Sequence, residues 1–431
     1  MLRDFARRLL FSRSTAYFLV SFLSACCQVI LRTALFVTDN AGARREGVSV
    51  WPASQLQNVT GLFRIQHDGR FEFCSDVPHY CQSPPPNFIN TCDALAIYSM
   101  NLFRDNRLED VVFIVIHTYL ICVTIYALAR ESIPHIIFIF AIRCLSVLWA
   151  FARVIETFII QKTLIGTLDG GQCKSESAFF GSSFFSSRHI FEGLLLGVSV
   201  LSVSIESFVA LKLGRIYSER PWRVVQVSSE MRKMYRLLLG FSVVAQMAGL
   251  ILPATMALWL DQLLNPYFWQ IAGSHKYIYG AFFLAWTLVL PMWIALGWFA
   301  LRREWKKSTI VFFSIGTVFI CSFIAGLGSA MFTWAVTTWW FFGTMYAASL
   351  ALLLAATVLA VICRRNFGKN LDHYLLVQNR LSSMNFTHAH FDKDIKQDQA
   401  EIPQELEKLD TKSDYETEYW GYETDKHFAY D

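Results

Sequence analysis

Eight stretches of this chain are each apolar for about 20 residues or more, the length a helix needs to cross the ~30 Å hydrocarbon core of a bilayer. They cover 15–37, 110–129, 134–160, 189–211, 237–260, 277–301, 309–332 and 339–362. Within lipid, backbone N–H and C=O groups have no water to bond. Each run must therefore satisfy its own backbone and is expected as an α-helix. Soluble domains carry about 25% charged residues, whereas this chain of 431 has 17% charged and 54% hydrophobic. The reading is an all-α, polytopic transmembrane helix bundle of about eight spans, with the lipid bilayer as its partner. Pro253 and Pro291 fall inside the fifth and sixth runs. Each removes a backbone donor and predicts a kink that a bundle tolerates.

Charge sets the expected orientation. Residues 371–431 hold 14 acidic and 6 basic residues, although the whole chain has a net charge of +4. The basic excess therefore lies in the membrane part, which points to membrane orientation and not to nucleic acid. Arg3, Arg7, Arg8 and Arg13 precede the first run. Lys212, Arg215, Arg220, Arg223, Arg232, Lys233 and Arg236 crowd the loop 212–236, and "RREWKK" and "CRRNFGK" follow at 302–307 and 363–369. The alternate loops are poor in such residues: 261–276 has only Lys276 and 333–338 has none. Positive charge stays on the cytosolic side, so both termini are expected there, as an even number of spans requires. The division is a basic cytosolic N-terminus at 1–14, a membrane domain at 15–362 with the outer loop 38–109 inserted, and an acidic tail at 363–431. The tail reads as largely disordered. Its imperfect repeat "YETEYWGYETD" at 415–425 suits an acidic solubilising segment.

The outer loop agrees with that orientation. It carries the glycosylation acceptor Asn58-Val59-Thr60 and Cys74, Cys81 and Cys92, and the next outer loop adds Cys173. Four cysteines in an oxidising compartment allow two disulfides in three pairings, which spacing alone leaves open. These features point to the secretory pathway and the plasma membrane. An alternative has residues 1–43 cleaved as a signal peptide at "AGA", leaving seven spans. The length of the apolar run favours an uncleaved first span.

The third run, with Arg143, Arg153 and Glu156, and the fourth, with Glu192 and Glu206, carry charge into the membrane. A mid-bilayer charge costs about 2.5–3.5 kcal/mol on insertion scales and seeks a partner. Matching depth on antiparallel helices predicts Arg143–Glu206 and Arg153–Glu192, with Glu156 as a third party. His117 in the second run is a titrating candidate. The cluster reads either as a clasp that sets helix register or as a cavity for an ion, proton or anionic ligand.

Runs five to eight lack Asp, Glu, Lys, Arg and His, and carry small residues at Gly326, Ala330, Gly343, Ala347, Ala351 and Ala355. Small residues let helices approach closely. Trp334, Trp339 and Trp340 suit an interfacial belt, and Cys363 is a palmitoylation candidate.

No HExxH, GxSxG or P-loop occurs, so the sequence points to no enzyme, catalytic residue, cofactor or metal. The two halves differ in charge and loop length, which ranks a receptor-like or partner-binding membrane protein first. A small-molecule or ion/proton-coupled transporter using charges in spans two to four ranks second. Loop 212–236 would meet anionic lipid or a cytosolic protein. "CRRNFGKNLDHYL", residues 363–375, after a helix of small residues, resembles the corresponding stretch of uncharacterised multi-spanning membrane proteins of fungi. The overall layout is also similar. The resemblance implies no activity and no functional residue.

Overall fold

A helix that bonds its own backbone can outrun the bilayer, and several here do. The computed structural model describes residues 12–45, 62–65, 71–76, 80–82, 91–130, 132–169, 182–224, 229–264 and 276–368. In chain order these form α1 (Ser12–Arg45), β1 (Leu62–Ile65), β2 (Phe71–Asp76), β3 (Tyr80–Gln82), α2 (Thr91–Ala129), α3 (Ile133–Asp169) and α4 (Ser182–Val224). There follow α5 (Ser229–Leu264), α6 (Lys276–Arg302), α7 (Lys306–Gly326), α8 (Ala330–Thr338) and α9 (Trp340–Arg365). All the helices except α8 are long and apolar enough to cross a membrane, eight in total. The membrane part is a polytopic helical bundle. At about 1.5 Å per residue, the 43 residues of α4 reach roughly twice the ~30 Å of hydrocarbon.

The residues between α1 and α2 contribute the three strands, an antiparallel sheet in the order β1-β2-β3. The alternate ends of the bundle can be named from this: the insert end holds the sheet, and the basic end holds the α6–α7 turn at Arg303–Trp305.

The helices sort into two groups. α1 lies against α2 and α4, and α3 packs on α4. In the second group α5 holds α9 and α6, while α7 rests on α6 and α9. The main join between groups is α3 on α5. Large apolar side chains point outward, among them Leu148 at 65%, Leu201 at 63% and Met292 at 73% exposure. In lipid this carries no penalty, because the surrounding tails are as apolar as leucine. The second group is cored by aromatic rings. Trp293 stacks on Phe312 with centroids 4.6 Å apart, and its indole N–H donates to the Phe312 carbonyl at 2.9 Å.

Two details depart from the sequence pattern. The seventh apolar run breaks after Gly326, where the chain turns through Leu327–Ser329 with Gly328 N bonding Ala325 O at 3.0 Å. Ala330 then opens α8, so Gly326 and Ala330 do not share one helix face. Trp339 is buried at 6% exposure, unlike a belt residue, because its N–H has an acceptor inside the protein. Gly343 does serve close approach: a Cβ there would lie 2.5 Å from the Val336 carbonyl oxygen. Pro253 and Pro291 sit within continuous helices α5 and α6.

A buried charge network as the candidate functional site

A guanidinium cannot be left alone in a water-free interior, since the cost of dehydrating it is repaid only by close carboxylates and filled hydrogen bonds. Three arginines from three helices converge on carboxylates at one place, each about 1% exposed, while Arg32 Nε, Arg153 Nε and Nη2 and Arg188 Nη2 make no hydrogen bond among the described residues. Arg153 of α3 bonds Glu109 of α2 through Nη1, has Asp110 Oδ2 at 3.8 Å from Nη2, and has Glu192 Oε1 at 3.7 Å from Nε. Arg188 of α4 reaches Glu192 Oε1 at 2.9 Å, one turn along its own helix, and Asp39 of α1 at 3.1 Å. Arg32 of α1 donates to Asp110 Oδ1 at 2.8 Å and stacks its guanidinium 4.3 Å over the ring of Phe113. Arginine suits these positions: the planar forks of Arg153 and Arg188 each face more than one carboxylate, and Arg32 and Arg188 lie over the rings of Phe113 and Phe103.

The carboxylates are held from the other side too. Thr157 Oγ1 donates to Glu192 Oε1 at 2.8 Å. Glu109 accepts from Trp149 Nε1 at 3.3 Å and from Trp339 Nε1 at 2.9 Å. That last bond crosses from the charged group of helices to the residue that precedes α9. Polar contacts at the insert end continue the seam: Arg104 to Asp261 at 2.5 Å and Gln262 to Asp105 at 2.7 Å.

A second pair lies deeper toward the basic end. Arg143 Nε is 3.1 Å from Glu206 Oε2, both about 1% exposed. The same guanidinium donates to the Ser21 carbonyl at 2.6 Å and to the Ser24 hydroxyl of α1. Arg143 and Arg153 stand ten residues apart on α3, about 15 Å by helical rise, so the two centres are separate.

Of the residues singled out from sequence, Arg153 and Glu192 belong to the larger network, and Arg143 and Glu206 form the smaller pair. Glu156 is half-buried and makes no ion pair within 4.0 Å among the described residues. His117 is fully buried on α2 and bonds the carbonyl of Phe113, one turn back, at 2.8 Å. It shares no hydrogen bond with either centre among the described residues. Cys363 is half-buried in the last turn of α9 beside Arg364 and Arg365. Cys74 lies on β2, Cys81 on β3 and Cys92 in the first turn of α2. Asn58, Cys173 and residues 369–431 lie outside the described residues.

Sequence reasoning missed Arg32, Asp39, Glu109, Asp110 and Arg188 as members. The apolar runs cover 110–129 and 189–211, whereas α2 begins at Thr91 and α4 at Ser182. One signal was present: Arg188 and Glu192 are four apart, the spacing of an ion pair on one helix face. Arg32 lies inside the first apolar run, and α1 supplies Arg32, Asp39, Ser21 and Ser24 to the two centres.

The chain matches no protein-family model, no curated protein and no solved structure.

Proposed function

We propose that this chain is a receptor-like or partner-binding integral membrane protein, with both termini in the cytosol and its sheet-bearing insert outside. The observation that carries this reading is the role of Glu109. One of its oxygens pairs with Arg153 inside the α1–α4 group, and the other accepts from Trp339 at the start of α9. Charges spent this way tie two groups of helices together, as a frame that relays a change from one side to the other would need. A solute path would instead want its charges facing water.

The partner surface in this reading is the basic end. α4 continues as helix from Leu213 to Val224, beyond its apolar span, and α5 opens at Ser229, ahead of its own span at Met231. Arg215, Arg220 and Arg223 fall in this extension of α4, while Arg232, Lys233 and Arg236 fall in the first two turns of the α5 span. Basic residues next to a membrane serve topology first, and a helical extension at this end would give them a surface as well. The test changes Arg215, Arg220 and Arg223 to Gln in the full-length protein and compares proximity-labelled cytosolic neighbours with the parent. A neighbour lost in the variant at unchanged abundance supports the reading. Unchanged neighbours, together with saturable solute uptake into proteoliposomes that falls on Glu206→Gln, would put transport first.

The insert carries a proposal of its own, for a disulfide-bonded protein of the secretory pathway. Cys74 on β2 and Cys81 on β3 are direct cross-strand partners in the register. Opposed residues of an antiparallel pair have Cα atoms about 4.5–5.5 Å apart, within the span a disulfide bridges. Of the three pairings, this favours Cys74–Cys81 with Cys92–Cys173. Peptide mapping without reductant is expected to return a Cys74–Cys81 linked pair, and a Cys74–Cys92 link would overturn the assignment.

A further inference from the structure

Two segments far apart in sequence bring six cations together at the basic end. The turn between α6 and α7 supplies Arg302, Arg303, Lys306 and Lys307, and the last turn of α9 supplies Arg364 and Arg365. Glu304 ties the segments to each other: its Oε2 accepts from the backbone N–H of Gly368, just past α9, at 3.0 Å. Glu304 is also the one acid within 302–307 and 363–368, so positive charge stays in large excess. Among the described residues none of the six cations makes an ion pair within 4.0 Å. Arg303, Lys306, Lys307 and Arg365 are exposed, and Arg302 and Arg364 are half-buried.

The preference for positive charge on the cytosolic side explains why cations are here. It does not explain how they are held. Arg364 of α9 lies over the ring of Phe313 on α7 at 5.8 Å, Arg303 over Trp305 at 5.2 Å and Arg302 over Trp298 at 4.5 Å. A ring face positions a guanidinium without neutralising it, so the charge stays available to an anion. Depth narrows the choice of anion. Arg302, Lys306 and Arg365 are the ends of three membrane spans, the level at which the apolar core of a bilayer gives way to headgroups. Further along, α7 and α9 pack together and expose Ile310, Val311, Val358, Val361 and Ile362. A free phosphate would match the cations alone, whereas a phospholipid matches the cations and the apolar faces beside them. We propose that the α6–α7 turn and the end of α9 form a headgroup site for an anionic phospholipid, whose acyl chains lie along the exposed faces of α7 and α9. The site uses no residue of the charge network or of the α4 extension, and it does not depend on the chain having a cytosolic partner.

The test titrates the full-length protein in detergent micelles with phosphatidylserine, with phosphatidylcholine and with the soluble headgroup glycerophosphoserine, and counts bound lipid by native mass spectrometry. Phosphatidylserine is expected to bind tighter than phosphatidylcholine, and the soluble headgroup to compete weakly. A basic residue near an anionic membrane surface is worth about five-fold in affinity, so Arg303→Gln, Lys307→Gln and Arg364→Gln together are expected to weaken phosphatidylserine binding about a hundred-fold. The same three-fold replacement at Arg215, Arg220 and Arg223 is expected to leave that binding unchanged. Glu304→Gln keeps an acceptor for Gly368 N–H and removes the one negative charge, so it is expected to tighten phosphatidylserine binding. Equal binding of the two lipids overturns the proposal. So does an equal loss in the α4 variant, which would mean diffuse surface charge, or equal competition by the soluble headgroup, which would mean a phosphate site without lipid. Should the triple Gln variant fail to fold, Glu304→Gln decides, and unchanged binding there also overturns the site.

Discussion

Arg153→Met is expected to cost about 3–5 kcal/mol of stability, the penalty for stripping one partner from a buried charge pair. The substitution keeps most of the side-chain volume, so packing is nearly unchanged. It removes the cation that faces Glu109, Asp110 and Glu192 together. Those carboxylates then repel one another at sites no more than about 1% exposed, where screening is weak, and among the described residues Glu109 retains its two indole donors. Arg153→Lys is expected to fall between parent and Met variant, since an ammonium supplies charge without the planar fork that spans three acceptors. Arg153→Met combined with Glu109→Gln should recover part of the loss by removing one uncompensated carboxylate. Thermal unfolding of the purified protein in detergent, with the yield of monodisperse material, measures each case. A Met variant as stable as the parent would mean that the network contributes nothing to holding the α1–α4 group.

The second large effect concerns Arg143 and Glu206. Arg143→Glu places two carboxylates face to face, and Glu206→Arg two guanidiniums, at sites about 1% exposed. Each single change is expected to eliminate most folded protein, again at about 3–5 kcal/mol or more. The exchange variant carrying both restores opposite charges and should regain much of the yield. Recovery stays partial for a reason visible in α1. Arg143 also donates to the Ser21 carbonyl and the Ser24 hydroxyl. A carboxylate at position 143 still accepts from Ser24 but has nothing to offer the carbonyl. If the exchange variant is no better than either single variant, the two side chains do not act as a pair.

These two centres differ in how far the sequence reveals them. Arg143 and Glu206 stand well inside apolar runs, so their charge is conspicuous, and depth along antiparallel helices puts them at one level. Asp39, Glu109 and Arg188 sit where apolar runs give way to ordinary polar sequence. There a charged residue looks like a loop or a helix end. The helices continue past that point, and burial comes from the neighbours that cover the residue, which hydropathy along one segment does not register. Trp339 shows the same limit. Its place beside Trp340 suggests an interfacial pair, yet Trp340 is 74% exposed and Trp339 is 6%. Adjacent positions at a helix start face different surroundings, and only the position of Glu109 tells them apart. The strand pairing that sets Cys74 against Cys81 was likewise invisible, because three short strands carry too little periodicity to announce a sheet.

Read as a string, the chain determines eight hydrocarbon-length helices, since the transfer of a segment into lipid sums over residues that are consecutive in sequence. The choice of partners is another matter. Arg32 meets Asp110 across 78 positions, Arg188 meets Asp39 across 149, and Glu109 meets Trp339 across 230. Coulomb energy and hydrogen bonding act over a few ångströms of space, so only the packed arrangement of the helices decides which charges share a centre.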